Sequence, residues 1–262
     1  MQRVVTMTQW DAEGYLKFET ERTRGASDLL TNIRIESPRN VVDLGCGPGN
    51  STALLWQRWP GARVIGIDSS PDMIGAAKRA HPDREWQCGD IASYAPPEGV
   101  DVLFSNAAIH WLPNHRELVR RLLGHVALGG VLAFQIPSRT FPRVRELIFE
   151  ISRWPQWDER MAGARSALTM ESPEFYYDVL AADAKSLDIW ETEYIHVMDT
   201  ASSIVDWVAG TGLRPFVAKL ETQGERLMFF KELYRRVLSE YPERADGKVL
   251  FPFRRTFVVA YR

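Results

Sequence analysis

Residues 41 to 52 read Val-Val-Asp-Leu-Gly-Cys-Gly-Pro-Gly-Asn-Ser-Thr. An apolar strand runs into three alternating glycines, and Asn50-Ser51-Thr52 then offers N-cap chemistry for a helix. Glycine is needed where the backbone turns with positive φ or where a ligand presses on the main chain. The turn carries an acid, Asp43, in front of it and no lysine behind it. A phosphate-binding loop needs Gly-Lys-Ser/Thr to neutralise charge, and a dinucleotide turn needs a third glycine where this chain has Asn50. An acid beside such a loop suits a ligand with cationic character at that end, such as the ammonium of an amino acid.

The segments that follow keep the rhythm of an α/β sheet. Helical periodicity covers 11–34, with Tyr15, Phe18, Arg22, Leu29, Leu30 and Ile33 near 3.6-residue spacing. Strands are expected at 40–45, 62–67, 85–89, 100–106 and 131–136. Helices are expected at 51–59, from Pro71 to Ala80 and at about 115–124, with Gly129-Gly130 turning into the fifth strand. Strand–helix alternation implies a parallel sheet with right-handed crossovers, whose ligands bind at the carboxyl ends of the strands. Asp68 ends the second strand, about twenty residues past the glycine turn, where an acid accepts bonds from ribose hydroxyls. Cys88-Gly89-Asp90-Ile91 ends the third strand and Ser105-Asn106-Ala107 the fourth, followed by His110-Trp111-Leu112.

After Pro137 the pattern changes. Residues 141–184 read as mostly helical, 187–197 as an alternating strand, 201–221 and 223–240 as two helices, and 249–261 as a final strand. With no repeat, low-complexity tract or Gly/Ser linker, residues 1–262 read as one domain. Residues 1–35 are expected as an N-terminal covering helix, with 138–184 and 201–222 as helical insertions that cap the ligand edge. The net charge of −2, without a basic block, argues against nucleic acid as a partner. No apolar run of 18 residues and no apolar leader at Met1–Trp10 point to a membrane or to export. The two cysteines, Cys46 and Cys88, lack metal-type spacing, which suggests reduced thiols in a cytoplasmic protein without a metal. Cys46 reads as a small residue filling the turn rather than as a nucleophile.

The ordered series Asp43-x-Gly45-x-Gly47-x-Gly49, Asp68, Asp90-Ile91 and Asn106 resembles the motifs of class I S-adenosylmethionine-dependent methyltransferases. That resemblance implies a Rossmann-like sheet of seven strands, mostly parallel with the last antiparallel, and helices on both faces. It also implies cofactor roles. Gly45, Gly47 and Gly49 would let the backbone approach the methionine part of S-adenosylmethionine, with Asp43 serving its amino group. Asp68 would bind the ribose, Ser69 and Met73 would flank the adenine, and Asp90 and Ile91 would meet its edge. Asn106 would offer its carbonyl near the amino end. Trp10, Tyr15, Phe18 and Arg22 would close over the cofactor, with Arg22 as the partner of its carboxylate.

Further segments narrow the resemblance. Gly47–Leu55, Gln57–Pro60, Gly66–Pro71, Trp111–Pro113, Asp206–Val208 and Thr211–Pro215 are similar to the trans-aconitate methyltransferase branch of that family. The similarity implies methyl transfer to a carboxylate of a small polycarboxylate, giving a monomethyl ester and S-adenosylhomocysteine. A carboxylate is already ionised near neutral pH, so no general base is required. Acceptor binding is expected from Arg214 first, then Tyr177, Trp207, Arg139 and Tyr194, with His110 and His196 as weaker candidates. Ser138-Arg139-Thr140 departs from the pattern of that branch. Other acceptors remain open at this point: another small acid, a malonyl group on a carrier protein, or a phenol served by a base such as His110. So do a non-catalytic cofactor-binding protein and a nicotinamide-dependent enzyme.

Overall fold

Seven strands form one sheet in the order β3-β2-β1-β4-β5-β7-β6, where β1 is Asn40–Leu44, β2 Arg63–Asp68, β3 Glu85–Cys88, β4 Val100–Asn106, β5 Val126–Pro137, β6 Ser186–Met198 and β7 Val249–Tyr261. The structure is a computed structural model and describes residues 18–96, 98–140 and 142–262, the Glu19 side chain excepted. Strands β1 to β5 pair in parallel, and β7 runs antiparallel to β5, with Val131 opposite Tyr261 and Pro137 opposite Arg255. This is the sheet expected from the class I methyltransferase pattern. Strand β1 is central and buried from Val41 to Leu44, which is why its apolar residues Val41, Val42 and Leu44 do not alternate with exposed polar ones.

The helices in chain order are α1 (Glu19–Thr31), α2 (Asn50–Arg58), α3 (Pro71–Ala80), α4 (His115–Gly124), α5 (Arg143–Ser152), α6 (Asp158–Arg165), α7 (Pro173–Leu180), α8 (Ala201–Ala209), α9 (Arg214–Val217) and α10 (Gln223–Glu240). Among the described residues, none is long and apolar enough to cross a membrane. Helix α3 starts as the sequence dictates, with Pro71 in its first turn and the Ser70 hydroxyl accepting from the Met73 N–H. Helix α10 opens with a reciprocal capping box between Thr222 and Glu225.

Three boundaries depart from the sequence reading. The first described helix begins at Glu19, and Trp10 and Tyr15 lie outside the described residues. Strand β5 begins at Val126 rather than after Gly129-Gly130. Its register against β4 jumps from Val100–Val126 to Val102–Val131, and Gly129, at φ 82°, takes up the irregularity. The helix expected over 201–221 is broken after Ala209. The Leu213 N–H returns to the Val208 carbonyl and the Thr211 hydroxyl to that of Trp207, so residues 210–213 close α8 before Pro215 restarts the chain in α9.

The chain divides into two compact units. The sheet unit holds residues 19–139, 169–192 and 255–262; the other holds Phe18, 140–168 and 193–254. The insertions differ from the expected 138–184 and 201–222. Helix α7 belongs with the sheet, where the Tyr176 hydroxyl meets His115 Nδ1 of α4 at 2.6 Å, and α10 belongs with the second unit. That unit is built around Trp157, which stacks on Trp154 at 5.5 Å and contacts Phe229 at 5.3 Å, with Leu147, Ile204 and Leu233 buried in the same cluster.

Candidate functional site

The glycine turn leaves β1 with Gly45, Gly47 and Gly49 all at positive φ, +75°, +55° and +102°. The three glycines meet different surroundings. A Cβ on Gly45 would lie 2.1 Å from the Ala108 side chain, and one on Gly49 would lie 2.6 Å from the Trp86 ring. Among the described residues, a Cβ on Gly47 would meet nothing within 4 Å. Two of the glycines therefore admit neighbouring parts of the protein, and Gly47 is the one of the three with no described residue against it. Trp86 also covers Gly66, where a Cβ would be 2.4 Å from the ring. Sequence reasoning passed over Trp86; its one signal was a large aromatic in a short, otherwise polar strand.

Helix α2 begins at Asn50, and its N-cap is Gly49, with no side-chain cap. The expected capping by Asn50-Ser51-Thr52 is replaced by a bond in the other direction. The Ser51 and Thr52 hydroxyls both donate to Asp43 Oδ2, each at 2.7 Å. A buried carboxylate is a stronger acceptor for those hydroxyls than the helix N–H groups are as donors. Asp43 is fully buried, and its Oδ1 has no partner among the described residues. Burial outweighs the two hydroxyl bonds, and with the nearby Asp68 charge it pushes the Asp43 carboxyl up to about 6. An unpartnered buried carboxylate oxygen is costly and leaves acceptor capacity that the described residues do not use. Burial and the same two acids push the Cys46 thiol far upward, which leaves it inert as a nucleophile.

Asp68 ends β2 and braces the turn. Its Oδ2 accepts from the Gly47 N–H at 2.9 Å and its Oδ1 from the Ser70 N–H at 2.8 Å. Each oxygen keeps a further lone pair for a hydroxyl. Burial raises its pKa, and the two backbone bonds oppose that rise. Ser69 is exposed and Met73 is buried at the start of α3. Asp90 is exposed with Oδ1 on the Ala92 N–H at 2.8 Å, and Ile91 is buried. Arg121 of α4 donates to the Ile91 and Tyr94 carbonyls at 2.8 and 2.6 Å, holding that loop from beneath.

The Asn106 side-chain carbonyl is engaged within the sheet. Its Oδ1 already accepts from Gln135 Nε2 at 2.5 Å, and Gln135 Oε1 accepts from Arg255 Nη1 at 3.2 Å. Sequence reasoning missed Gln135 and Arg255; their signal was a polar side chain inside an otherwise apolar strand. Arg22 is buried on α1. His110 is buried in the short 3₁₀ turn Ile109–Trp111, its ring 5.2 Å from that of Trp111.

Of the expected acceptor residues, Tyr177 and Arg139 are exposed residues of the sheet unit. Tyr194 and Trp207 are buried in the second unit and meet through His196, whose ring lies 6.1 Å from Tyr194 and 4.9 Å from Trp207. Phe18, expected to cover the cofactor, packs edge-on against Trp207 at 5.2 Å. Arg214 is half-buried at the first position of α9, immediately after the 210–213 turn, and burial lowers its pKa.

Residues 41–130 match the family model described as a methyltransferase domain. A trans-aconitate 2-methyltransferase of Azoarcus sp. (strain BH72) is 46% identical over 98% of this chain and 100% of its own length. One from Escherichia coli O139:H28 is 41% identical over 98% of this chain and 99% of its own. Among solved structures, the YcgJ protein of a Bacillus aligns over 91% of this chain and 98% of its own with a TM-score of 0.60 at 15% identity. Coclaurine N-methyltransferase, bound to N-methylheliamine and S-adenosylhomocysteine, aligns over 91% of this chain and 72% of its own with a TM-score of 0.55 at 14% identity. At such identities these two structures speak for the fold alone.

Proposed function

Since the chain belongs to the family of trans-aconitate 2-methyltransferases, we propose that it is a cytoplasmic enzyme that esterifies one carboxylate of trans-aconitate with the methyl group of S-adenosylmethionine. The observation that carries the cofactor half of this reading is the Asp43–Gly47 corner. Among the described residues, a wholly buried carboxylate with one oxygen unpartnered precedes a glycine turn whose middle residue has nothing against it. That donor set fits an ammonium group and a ribose; it does not fit a phosphate. Asp43 would take the amino group, Gly45, Gly47 and Gly49 would shape the turn beside it, and Asp68 would take the ribose. Ser69, Met73, Asp90 and Ile91 would hold the adenine, with Arg22 and Asn106 serving the amino-acid end. When bound, S-adenosylmethionine supplies a methyl group made electrophilic by its sulfonium.

The protein's own part is positioning. The acceptor carboxylate is ionised near neutral pH, so no side chain has to remove a proton. Rate comes from holding the acceptor oxygen in line with the methyl group and from keeping water away from the nucleophile. Arginine is the natural clamp for the remaining carboxylates, because its fork matches their geometry. Arg214 is the first choice, with Tyr177, Trp207, Arg139 and Tyr194 in supporting roles.

Incubation of the purified protein with methyl-labelled S-adenosylmethionine and trans-aconitate, cis-aconitate, itaconate or isocitrate tests the reading. Labelled monomethyl ester and S-adenosylhomocysteine in equal amounts, greatest with trans-aconitate, are expected. Turnover of a phenol with none of the acids would refute the acceptor assignment. Arg214→Ala is expected to raise the acceptor KM roughly tenfold, the worth of one charged hydrogen bond, while the dissociation constant of S-adenosylhomocysteine stays at its wild-type value. An unchanged acceptor KM would make Arg214 a structural residue.

A further inference from the structure

Three side chains on neighbouring strands form a directed polar chain inside the sheet unit. Asn106 is the last residue of β4, and Gln135 lies directly opposite it on β5. Gln135 in turn faces Phe257 on β7, so Arg255, two residues away on the same strand, projects to the same face. Gln135 is fully buried, and Arg255 is 3% exposed. The direction of the chain is fixed by chemistry. A guanidinium only donates, so the Gln135 atom that meets Arg255 Nη1 must be its carbonyl oxygen. The other branch of Gln135 is then the NH₂ group, which donates to Asn106 Oδ1. Asn106 is left with its Nδ2 donors on the branch away from Gln135. Nδ2 donates to no described residue and is not sealed from solvent.

The fold makes room for this arrangement. Gly25 lies in the interior of α1, where glycine costs about 1 kcal/mol relative to alanine. A Cβ there would lie 3.2 Å from Arg255 Cδ and 3.3 Å from its Nε. Helix α1 thus leaves a gap that the stem of the arginine fills.

We propose that Arg255 is a positioning residue which, through Gln135, locks the Asn106 carboxamide with its N–H donors toward the open carboxyl end of β4, where they hold a ligand carboxylate. The inference rests on the reaction proposed above, whose two ligands both carry a carboxylate: the amino-acid end of the cofactor and the acceptor. Without the lock, Asn106 and Gln135 can both turn over and present a carbonyl oxygen, which repels the same group.

Asn106→Asp keeps the oxygen that meets Gln135 and replaces the donors with a second oxygen. It is expected to weaken binding of the carboxylate roughly tenfold. Two readings locate that carboxylate. If it is the cofactor's, the variant loses affinity for S-adenosylhomocysteine and keeps its affinity for methylthioadenosine, the thioether nucleoside without the amino-acid arm. If it is the acceptor's, the acceptor KM rises and both nucleoside affinities stay. Arg255→Met is expected to weaken the same binding by a smaller factor, Arg255→Lys to restore it, and Arg255→Met to add nothing in the Asn106→Asp background. The proposal is overturned if Asn106→Asp leaves all three constants within twofold of wild type. It is equally overturned if the Arg255→Met penalty persists in full in the double variant, or if Arg255→Met changes only the melting temperature. Should the wild-type protein bind S-adenosylhomocysteine but methylate no acid, the acceptor assignment alone falls. The comparison of the two nucleosides then decides, and an unchanged ratio overturns the lock.

Discussion

Gly49→Ala is expected to destabilise the protein by about 3 kcal/mol or more, enough to lower its melting temperature by roughly 6–12 °C. Two costs add. Gly49 sits at φ 102° and ψ 4°, a conformation that L side chains rarely adopt. The new Cβ would also come within 2.6 Å of Trp86 Cη2 and 3.3 Å of its Cζ2. The indole has little freedom to withdraw. Its Nε1 donates to the His81 carbonyl at 3.0 Å, and its ring lies edge-on to Trp56 at 5.4 Å. Gly47→Ala supplies the contrast. At φ 55° with no described residue within 4 Å, it should cost only about 1–2 kcal/mol of stability. Its methyl group would occupy the space assigned to the cofactor, so affinity for S-adenosylhomocysteine should fall at least about tenfold. Thermal melts and calorimetric titrations of both variants separate the effects. A Gly49→Ala protein as stable as wild type would show that Trp86 does not brace the turn. A Gly47→Ala protein with unchanged cofactor affinity would place the ligand elsewhere. Trp86→Leu should recover part of the Gly49→Ala loss, since it removes the clash and leaves the backbone strain.

Asp43→Asn is expected to stabilise the free protein while damaging its cofactor binding. The Asp43 carboxyl rises from 3.8 to about 6 on folding, chiefly because burial disfavours its charge. That difference corresponds to on the order of 3 kcal/mol. Between those two values the folded chain holds more protons than the unfolded one, so stability falls as pH rises through about 6 and then levels off. An amide keeps one oxygen for the Ser51 and Thr52 hydroxyls and carries no charge to bury. After the cost of an unpaired NH₂ group, a gain of about 1–2 kcal/mol remains at pH 7.5, or about 4 °C in melting temperature, vanishing near pH 4. In the same variant the attraction to the cofactor's ammonium is lost, and S-adenosylmethionine affinity should drop roughly a hundredfold. In the wild type, the bound ammonium should hold Asp43 ionised. Titrations in buffers of different ionisation enthalpy should therefore detect about half a proton released per cofactor bound at pH 6 and almost none at pH 8. A lower melting temperature for Asp43→Asn at pH 7.5 would mean that the carboxylate is a net stabiliser of the fold.

Much of this arrangement was legible along the chain. The four strands that carry Asp43, Asp68, Asp90 and Asn106 toward one edge announce themselves through local apolar runs, and β7 was expected over the residues it occupies, Val249–Tyr261. The helix caps at Ser70 and Thr222 are likewise local chemistry. Elsewhere, proximity in sequence misled. Ser51 and Thr52 follow the turn as capping residues would, yet a buried carboxylate eight and nine residues earlier takes both hydroxyls. The helix pattern over 201–221 continues through Gly210–Leu213, where backbone bonds to Val208 and Trp207 end it.

Local pattern by itself determined the order of strands and helices, the turn with its preceding acid, and so the class of ligand, because each depends on residues within a few positions of one another. Only the folded chain decided which glycine is left uncovered by the described residues and which faces Trp86, and which end of the Asn106 amide points outward. The last of these depends on a bond between residues 120 positions apart. Such partners share no periodicity and leave no mark on each other's neighbourhood; the sheet brings them together, and their hydrogen-bonding capacities then allow one orientation.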